Sequence, residues 1–171
     1  MQLNFDDTIS KEIVFENVAQ YLTDKGLCIS QKDDQRPWGG FFVIDEAQAE
    51  KFISTYFPQF SREALDISGK LSPKILVVAP GKRLSWQYHH RRAEIWKLIG
   101  GTAGVVTSDT DKEKEITHLS TGDEIQLQQG ERHRLIGLDG WGIVAEIWRH
   151  TDAENPSDEA DIVRVQDDFG R

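Results

Sequence analysis

A mainly β protein, a double-sheet jelly-roll barrel preceded by helical segments, is the architecture that this sequence predicts. Three observations predict it. After Pro73 the chain runs through short β-type stretches (KILVVA, RLSWQYHH, EIWKLIGG, TAGVVTSD, EITHLS, EIQLQQG, HRLIGLD and GIVAEIWRH), with no helical pattern among them. Gly81, Gly100, Gly101, Gly122, Gly130 and Gly140 punctuate these stretches. Closely spaced strands with turn signals suit an antiparallel barrel better than a parallel sheet with crossover helices. Before Pro73, by contrast, apolar residues recur at helical spacing.

From Asp6 to Leu27 the residues Ile9, Ile13, Val14, Phe15, Val18, Tyr21 and Leu22 recur every three or four positions, which predicts an amphipathic helix with Gly26 as its stop. The stretch Gln31 to Gly40 is polar and ends in Arg36-Pro37-Trp38-Gly39-Gly40, so it reads as a connection into a strand at 41–44. A second helical pattern spans 47–57 and ends at Pro58. The expected organisation is a helical extension over 1–35 and a barrel over 36–171, with a helical insertion at about 45–72. The acidic stretch 151–161 reads as a solvated loop, and the alternating piece after Asp161 as an edge strand or a segment packed on the barrel.

A length of 171 residues suits one principal domain with a real core. The formal net charge of −9 repels phosphate backbones and anionic membranes, so neither nucleic acid nor a membrane surface is an expected partner. A local basic pocket for a small phosphorylated substrate is compatible with that total. The single cysteine, Cys28, cannot form an intramolecular disulfide and reads as a small packing residue. The start MQLNFDDTIS has neither the basic nor the apolar part of a signal peptide, and no apolar run is long enough to cross a bilayer, so a cytoplasmic protein is expected.

The chemistry concentrates in Ser85-Trp86-Gln87-Tyr88-His89-His90-Arg91-Arg92-Ala93-Glu94-Ile95-Trp96. In an extended strand Ser85, Gln87 and His89 share one face, while Trp86, Tyr88 and His90 share the other. A turn near 91–93 returns the chain with Glu94, Trp96 and Leu98 on one face, so Gln87, His89 and Glu94 can converge. An amide oxygen, an imidazole and a carboxylate suit one divalent ion, zinc first, with manganese, iron, cobalt and nickel as alternatives. His133, just after the Gly130 turn, is the expected fourth ligand from a distant strand. His118 lies in a charged hairpin and reads as a surface histidine. No specific role is read for His150.

The spacing of Pro80, Gly81, Leu84, Ser85, Gln87, His89, Arg92, Glu94 and Trp96 resembles the metal motif of phosphomannose isomerases. The match is closest to the cupin domain at the carboxyl end of the bifunctional type II enzymes. Gly130, His133, Arg134 and Leu135 resemble that family's second histidine motif. Arg36-Pro37-Trp38-Gly39 resembles its opening motif, and Asp161-Ile162-Val163-Arg164 with Asp168-Phe169-Gly170-Arg171 resembles its carboxyl terminus. The likeness covers about residues 36–171, with several anchors in the right order. Ile95 stands where the family often has a histidine, Gln128-Gln129 replaces a usual proline, and Gly137 stands where asparagine is common.

The resemblance implies a cupin-type double-stranded β-helix and interconversion of mannose 6-phosphate and fructose 6-phosphate, without the nucleotidyltransferase half. In the related type I isomerases a serine matching Ser85 lies near the phosphate, and a lysine occupies the position that is Arg92 here. Arginine is a poor proton acceptor but a good anion clamp. Arg92 is therefore expected to contact substrate or transition state, with Glu94 beside it, while Ser85, Lys74 and Trp38 complete the expected substrate contacts. Arg36, Arg149 and Arg171 are further candidates for the phosphate, and Trp86, Trp96, Trp141 and Trp148 for either a sugar wall or core packing. Glu94, a metal-bound water and His90 remain open as the base. A non-catalytic sugar-phosphate-binding cupin and an iron-dependent oxygenase stand as alternatives. Barrel edges are often covered by a second subunit, so a homodimer is expected.

Overall fold

The computed structural model describes residues 2–66 and 69–171. Residues 1, 67 and 68, which fall within the expected extension and insertion, lie outside the described residues. The first helix, α1 (Lys11–Asp24), starts later than its apolar spacing suggests. Ser10 caps it by accepting from the Ile13 N–H at 3.4 Å, while Asp6 holds the Thr8 N–H at 2.9 Å in a preceding turn. It ends at Gly26, whose φ of +70° lets the Leu27 N–H return to the Leu22 carbonyl at 2.9 Å.

The strand β1 (Ile29–Asp33) corrects the expected connection over 31–40, because it pairs antiparallel with β2 (Gly39–Ile44). It is an edge strand whose middle residues are exposed, so it lacks the apolar alternation that marks a half-buried strand. A 3-10 turn over 46–48 leads into α2 (Ala49–Tyr56), with Pro58 just beyond it, and α3 (Arg62–Leu65) follows. The barrel continues as β3 (Lys74–Val78), β4 (Trp86–Tyr88), β5 (Arg92–Ser108), β6 (Thr117–Leu119), β7 (Glu124–Leu127), β8 (Arg132–His150) and β9 (Val163–Gln166).

Two long strands build the barrel. β5 and β8 pair from Arg92↔His150 to Ser108↔Arg132, with register shifts at Leu98/Gly100 and Gly101/Ala103. The second half of β8 pairs β3, which pairs β2, while the first half of β5 pairs β7. The first half of β8 pairs β4, which pairs β9, while the second half of β5 pairs β6. One continuous ladder thus folds over into two faces, the jelly-roll arrangement. The stretches EIWKLIGG and TAGVVTSD are therefore one strand, as are HRLIGLD and GIVAEIWRH, where separate strands were expected. Gly81, Gly122 and Gly130 lie in turns as expected, whereas Gly100, Gly101 and Gly140 lie inside the long strands, where irregular register bends the ladder without ending it. Gly101 has φ +70°, and a Cβ there would lie 1.8 Å from the Trp141 carbonyl oxygen.

Alternation decides what each face meets. Leu76, Val78, Trp96, Leu98 and Val144 point into the barrel, where they pack with Trp38, Leu84, Leu127 and Leu135. Their neighbours Ile75, Val77, Ile95, Ile143, Ala145 and Ile147 point outward, where Val14, Phe15, Val18, Leu22, Phe52 and Phe57 cover them. Helices on the outside make this half of the sheet apolar on both sides. Interior polar residues on it accordingly stand out against the run.

Gly101→Ala is expected to cost about 2 kcal/mol more than Gly81→Ala, whose φ is +68° but whose surroundings are open. Urea midpoints of the two variants check this, and equal shifts would refute the backbone clash as the cause.

Candidate metal centre

The inward positions at one end of the barrel carry polar side chains in register. Lys74, Glu146 and Trp96 lie opposite one another across β3, β8 and β5, and Trp148 lies opposite Glu94 in the adjacent row. On the other face Gln87 of β4 lies opposite His133 of β8. His89, Glu94 and His133, all buried, bring their ligand atoms within 4.8 Å of one another. His89 Nε2 is 3.1 Å from Glu94 Oε1, and His133 Nε2 is 3.6 Å from Glu94 Oε2.

The second nitrogen of each ring fixes its tautomer. His89 Nδ1 donates to the Asp161 carbonyl at 2.7 Å, and His133 Nδ1 donates to the Glu131 carbonyl at 2.9 Å. A carbonyl only accepts, so with neutral rings each Nε2 presents a lone pair toward Glu94. His133 Nε2 is buried with no hydrogen-bond partner. A buried lone pair beside a second imidazole and a carboxylate is the donor set that a divalent cation satisfies, so the residues present fit a metal ion. Burial, with His89 adding, lowers the His133 imidazole to about 4 against the pull of Glu94, so it stands neutral and ready to ligate near neutral pH.

Burial pushes the Glu94 carboxyl up, but His89, Arg92 and His133 together outweigh it and hold the group well below the usual carboxylate range. Arg92 Nε donates to Glu94 Oε1 at 2.9 Å, and the Trp96 indole donates to Oε2 at 3.0 Å. Arg92 also donates to Ser157 Oγ at 2.9 Å and the Asp158 carbonyl at 3.0 Å, and its guanidinium lies 3.7 Å from the Trp148 ring centre. It was expected to clamp substrate; protein groups hold its donors, and what it visibly does is brace Glu94. Asp161 holds the turn after His89, accepting from the His90 and Arg91 N–H groups at 2.9 Å each and from Ser157 Oγ at 2.6 Å.

One cavity adjoins this centre. Gln87, Glu94 and Ser85 line it with Trp38, Lys74, Arg92, Trp96 and Trp148, so every expected substrate contact faces it. Gln87 sits beside the trio with its Oε1 accepting from Ser85 Oγ at 2.5 Å. Arg36, Arg164 and Arg171 line the mouth, whereas Arg149 does not line it. Trp86 and Trp141 pack in apolar clusters away from it.

Several readings are corrected. His90 is exposed, its ring 5.4 Å from that of Tyr88, because it sits in the bend after β4 at the surface; it is no candidate base. His150 is buried and its Nδ1 accepts from the Ser157 N–H at 2.9 Å, which anchors the acidic loop. Cys28 is exposed, since it follows the helix stop outside the core. His118 is exposed, as expected. Ile95 belongs to the helix-side core, so a side chain at that position points away from the trio.

Glu146 was missed. It is 5% exposed, lines the cavity, and accepts from Trp96 Nε1 at 2.8 Å and Trp148 Nε1 at 3.0 Å. Burial, reinforced by the Glu94 charge and opposed by Lys74 and Arg92, raises it to about 8. A signal existed, because Val144, Glu146 and Trp148 alternate opposite Ile143, Ala145 and Ile147. An acid on an otherwise apolar inward face calls for an explanation.

A family model described as mannose-6-phosphate isomerase C-terminal matches residues 45–167. The chain is 31% identical over 160 residues to the xanthan biosynthesis protein XanB of Xanthomonas campestris pv. campestris (strain B100), covering 91% of this chain and 32% of that protein. It is 32% identical over 116 residues to a mannose-1-phosphate guanylyltransferase of Escherichia coli (strain K12), covering 68% and 23%. The chain thus spans a third or less of these relatives' length. Among solved structures, the capsular polysaccharide assembling protein CapF from Staphylococcus aureus aligns over 82% of this chain and 34% of its own, with TM-score 0.52 and 13% identity. A recombinant oxalate oxidase aligns over 78% and 58%, with TM-score 0.51 and 17% identity. These two likenesses show the cupin fold alone.

In metal-free protein, stability is expected to fall as pH drops from about 6.5 to about 4. Unfolded His133 takes up its proton near the upper value and folded His133 only near the lower, so protons favour the unfolded state between them. Urea unfolding across that window should show the decline, and His133→Gln should reduce it; an undiminished decline in the variant would assign it elsewhere.

Proposed function

The chain belongs to the mannose-6-phosphate isomerase C-terminal family, and on that premise we propose that it is a metal-dependent sugar-phosphate isomerase interconverting mannose 6-phosphate and fructose 6-phosphate. The observation that carries the reading is the joining of a metal-fitting trio to a cavity of reversed charge. Arg36, Lys74, Arg92, Arg164 and Arg171 line that cavity against three carboxylates, Glu94, Glu146 and Glu159, in a chain whose net charge is −9. A small anion is drawn to such a place while a large polyanion is repelled by the rest of the surface.

His89, Glu94 and His133 would hold the ion, with Gln87 beside them; the nitrogen and oxygen donors favour zinc and admit manganese, iron, cobalt or nickel. Bound there, a divalent ion supplies Lewis acidity toward the carbonyl and hydroxyl oxygens of an open-chain sugar. The remaining work falls to the chain's own residues. Arg164 has no side-chain hydrogen bond or ion pair among the described residues, and burial, with Arg171 and Arg36 adding, lowers its guanidinium against the pull of Asp167 and Glu159. Three arginines crowded at one mouth suit a phosphate dianion, which relieves their mutual repulsion. Arg171 is partly neutralised by Asp167 at 2.8 Å, and Lys74 by Glu159. Trp38, Trp96 and Trp148 offer ring surface to the sugar and keep bulk water from its reacting end.

The relative named as a mannose-1-phosphate guanylyltransferase favours a second reading, a cupin that binds a sugar phosphate without turning it over. A coupled assay for fructose 6-phosphate separates the two. Under the first reading the metal-loaded protein turns over, chelation abolishes the activity, and His89→Ala loses both bound metal and at least ~100-fold in kcat/KM. Arg164→Ala should raise KM roughly tenfold or more with a smaller change in kcat. Full activity after thorough metal removal would sink the first reading. Thermal stabilisation by mannose 6-phosphate without turnover would establish the second.

A further inference from the structure

We propose that Glu146 is the catalytic residue that carries the proton between C1 and C2 of the sugar, a role that rests on the isomerase reading above. The cavity is lined by only three carboxylates among the described residues. Glu94 has both oxygens engaged, Oε1 by Arg92 and Oε2 by Trp96, and it belongs to the metal-fitting trio. Glu159 sits on the outer loop with its side chain 69% exposed and pairs with Lys74. His90 faces solvent. Glu146 is left, buried in the cavity wall and one register row from Glu94.

Its setting is built for holding a carboxylate still. One indole donor reaches each oxygen, Trp96 at Oε2 and Trp148 at Oε1, and the Trp96 N–H is shared with Glu94. Each Glu146 oxygen keeps a further lone pair after these bonds. The carboxylate is thus fixed in the cavity wall with lone pairs left to take a proton and return it. Arg92 is a poor proton acceptor, and Lys74 is engaged 3.9 Å over the Trp148 ring and beside Glu159.

The step balances without an outside oxidant or reductant. The Glu146 carboxylate takes the proton from C2 of the open-chain aldose; the C2–H electron pair becomes the C1–C2 double bond, and the carbonyl pair moves onto O1. The hydroxyl proton on O2 passes to O1, directly or through a water molecule. The O2 lone pair then forms the C2 carbonyl, the double-bond pair takes the proton back from Glu146 at C1, and the ketose and the carboxylate are restored.

The test compares wild-type and Glu146→Gln proteins, both metal-loaded, with mannose 6-phosphate in deuterium oxide. Three quantities are read: bound metal, thermal stabilisation by the sugar phosphate, and deuterium entering C1 or C2. Glu146→Gln should keep its metal and its ligand-induced stabilisation while isomerisation and deuterium entry fall together by roughly a thousandfold. Isomerisation within tenfold of wild type would overturn the assignment. If the glutamine variant fails to fold, Glu146→Asp replaces it, with an expected loss of about a hundredfold and a displaced pH–rate profile; an unchanged rate and profile overturn the proposal. A wild-type protein that holds metal and sugar phosphate but neither isomerises nor exchanges deuterium overturns the isomerase reading itself, and the role of Glu146 falls with it.

Discussion

A buried negative charge on Glu94 organises this end of the molecule. A carboxylate 2% exposed is costly unless its charge is compensated and its lone pairs are filled. Arg92 compensates the charge and, with Trp96, donates to its oxygens, while the His89 and His133 Nε2 atoms stand 3.1 and 3.6 Å away. Arg92 is tied to the loop through Ser157 and Asp158, and both histidines are tied to backbone carbonyls. Removing any one partner leaves an imperfectly compensated charge in an apolar barrel, so the cluster acts as a unit. A cation placed among these groups completes the compensation, which is the physical sense in which the fold anticipates a metal.

The barrel supplies the rigidity that such a cluster needs. Long strands bent at glycine bulges carry the site residues, and helices seal the outer surface behind them. Because inward and outward residues alternate, Ile95 and Ile147 anchor the helix side while Glu94, Glu146 and Trp148 are presented to the cavity. Precision at the site is thus inherited from packing on the opposite face of the same strands.

Much of this could be read from residues alone, and the reasons differ by element. Ser85, Gln87, His89 and Glu94 obey simple alternation around a short turn, so their convergence follows from strand geometry. His133 follows from the need for a donor across the barrel. The bent strands were less legible, since a glycine that bends a ladder and a glycine that turns a chain look alike in sequence. β1 stayed hidden because an exposed edge strand has no apolar rhythm. Arg92 was identified, but its engagement with Ser157 and Asp158 depends on a loop sixty-odd positions away whose path no local pattern specifies. Glu146 was visible as an acid in an apolar run and was passed over because no motif drew attention to it.

The tie between Asp161 and the His89 turn bears on how the protein is made. The acceptor that orients the His89 ring and those that fix the following turn lie some seventy residues downstream, and β4 itself is bordered by segments from 132–150 and 163–166. A ribosome releases residues in order, so the helices and β1, β2 and β3 have all emerged while the imidazole at 89 still lacks its anchor. The interior lined by His89, Glu94 and His133 consequently closes only once its partners between 131 and 166 have emerged and long-range pairing has been achieved. Until then, nascent chains expose two histidines and a glutamate without the spacing that distinguishes one ion from another.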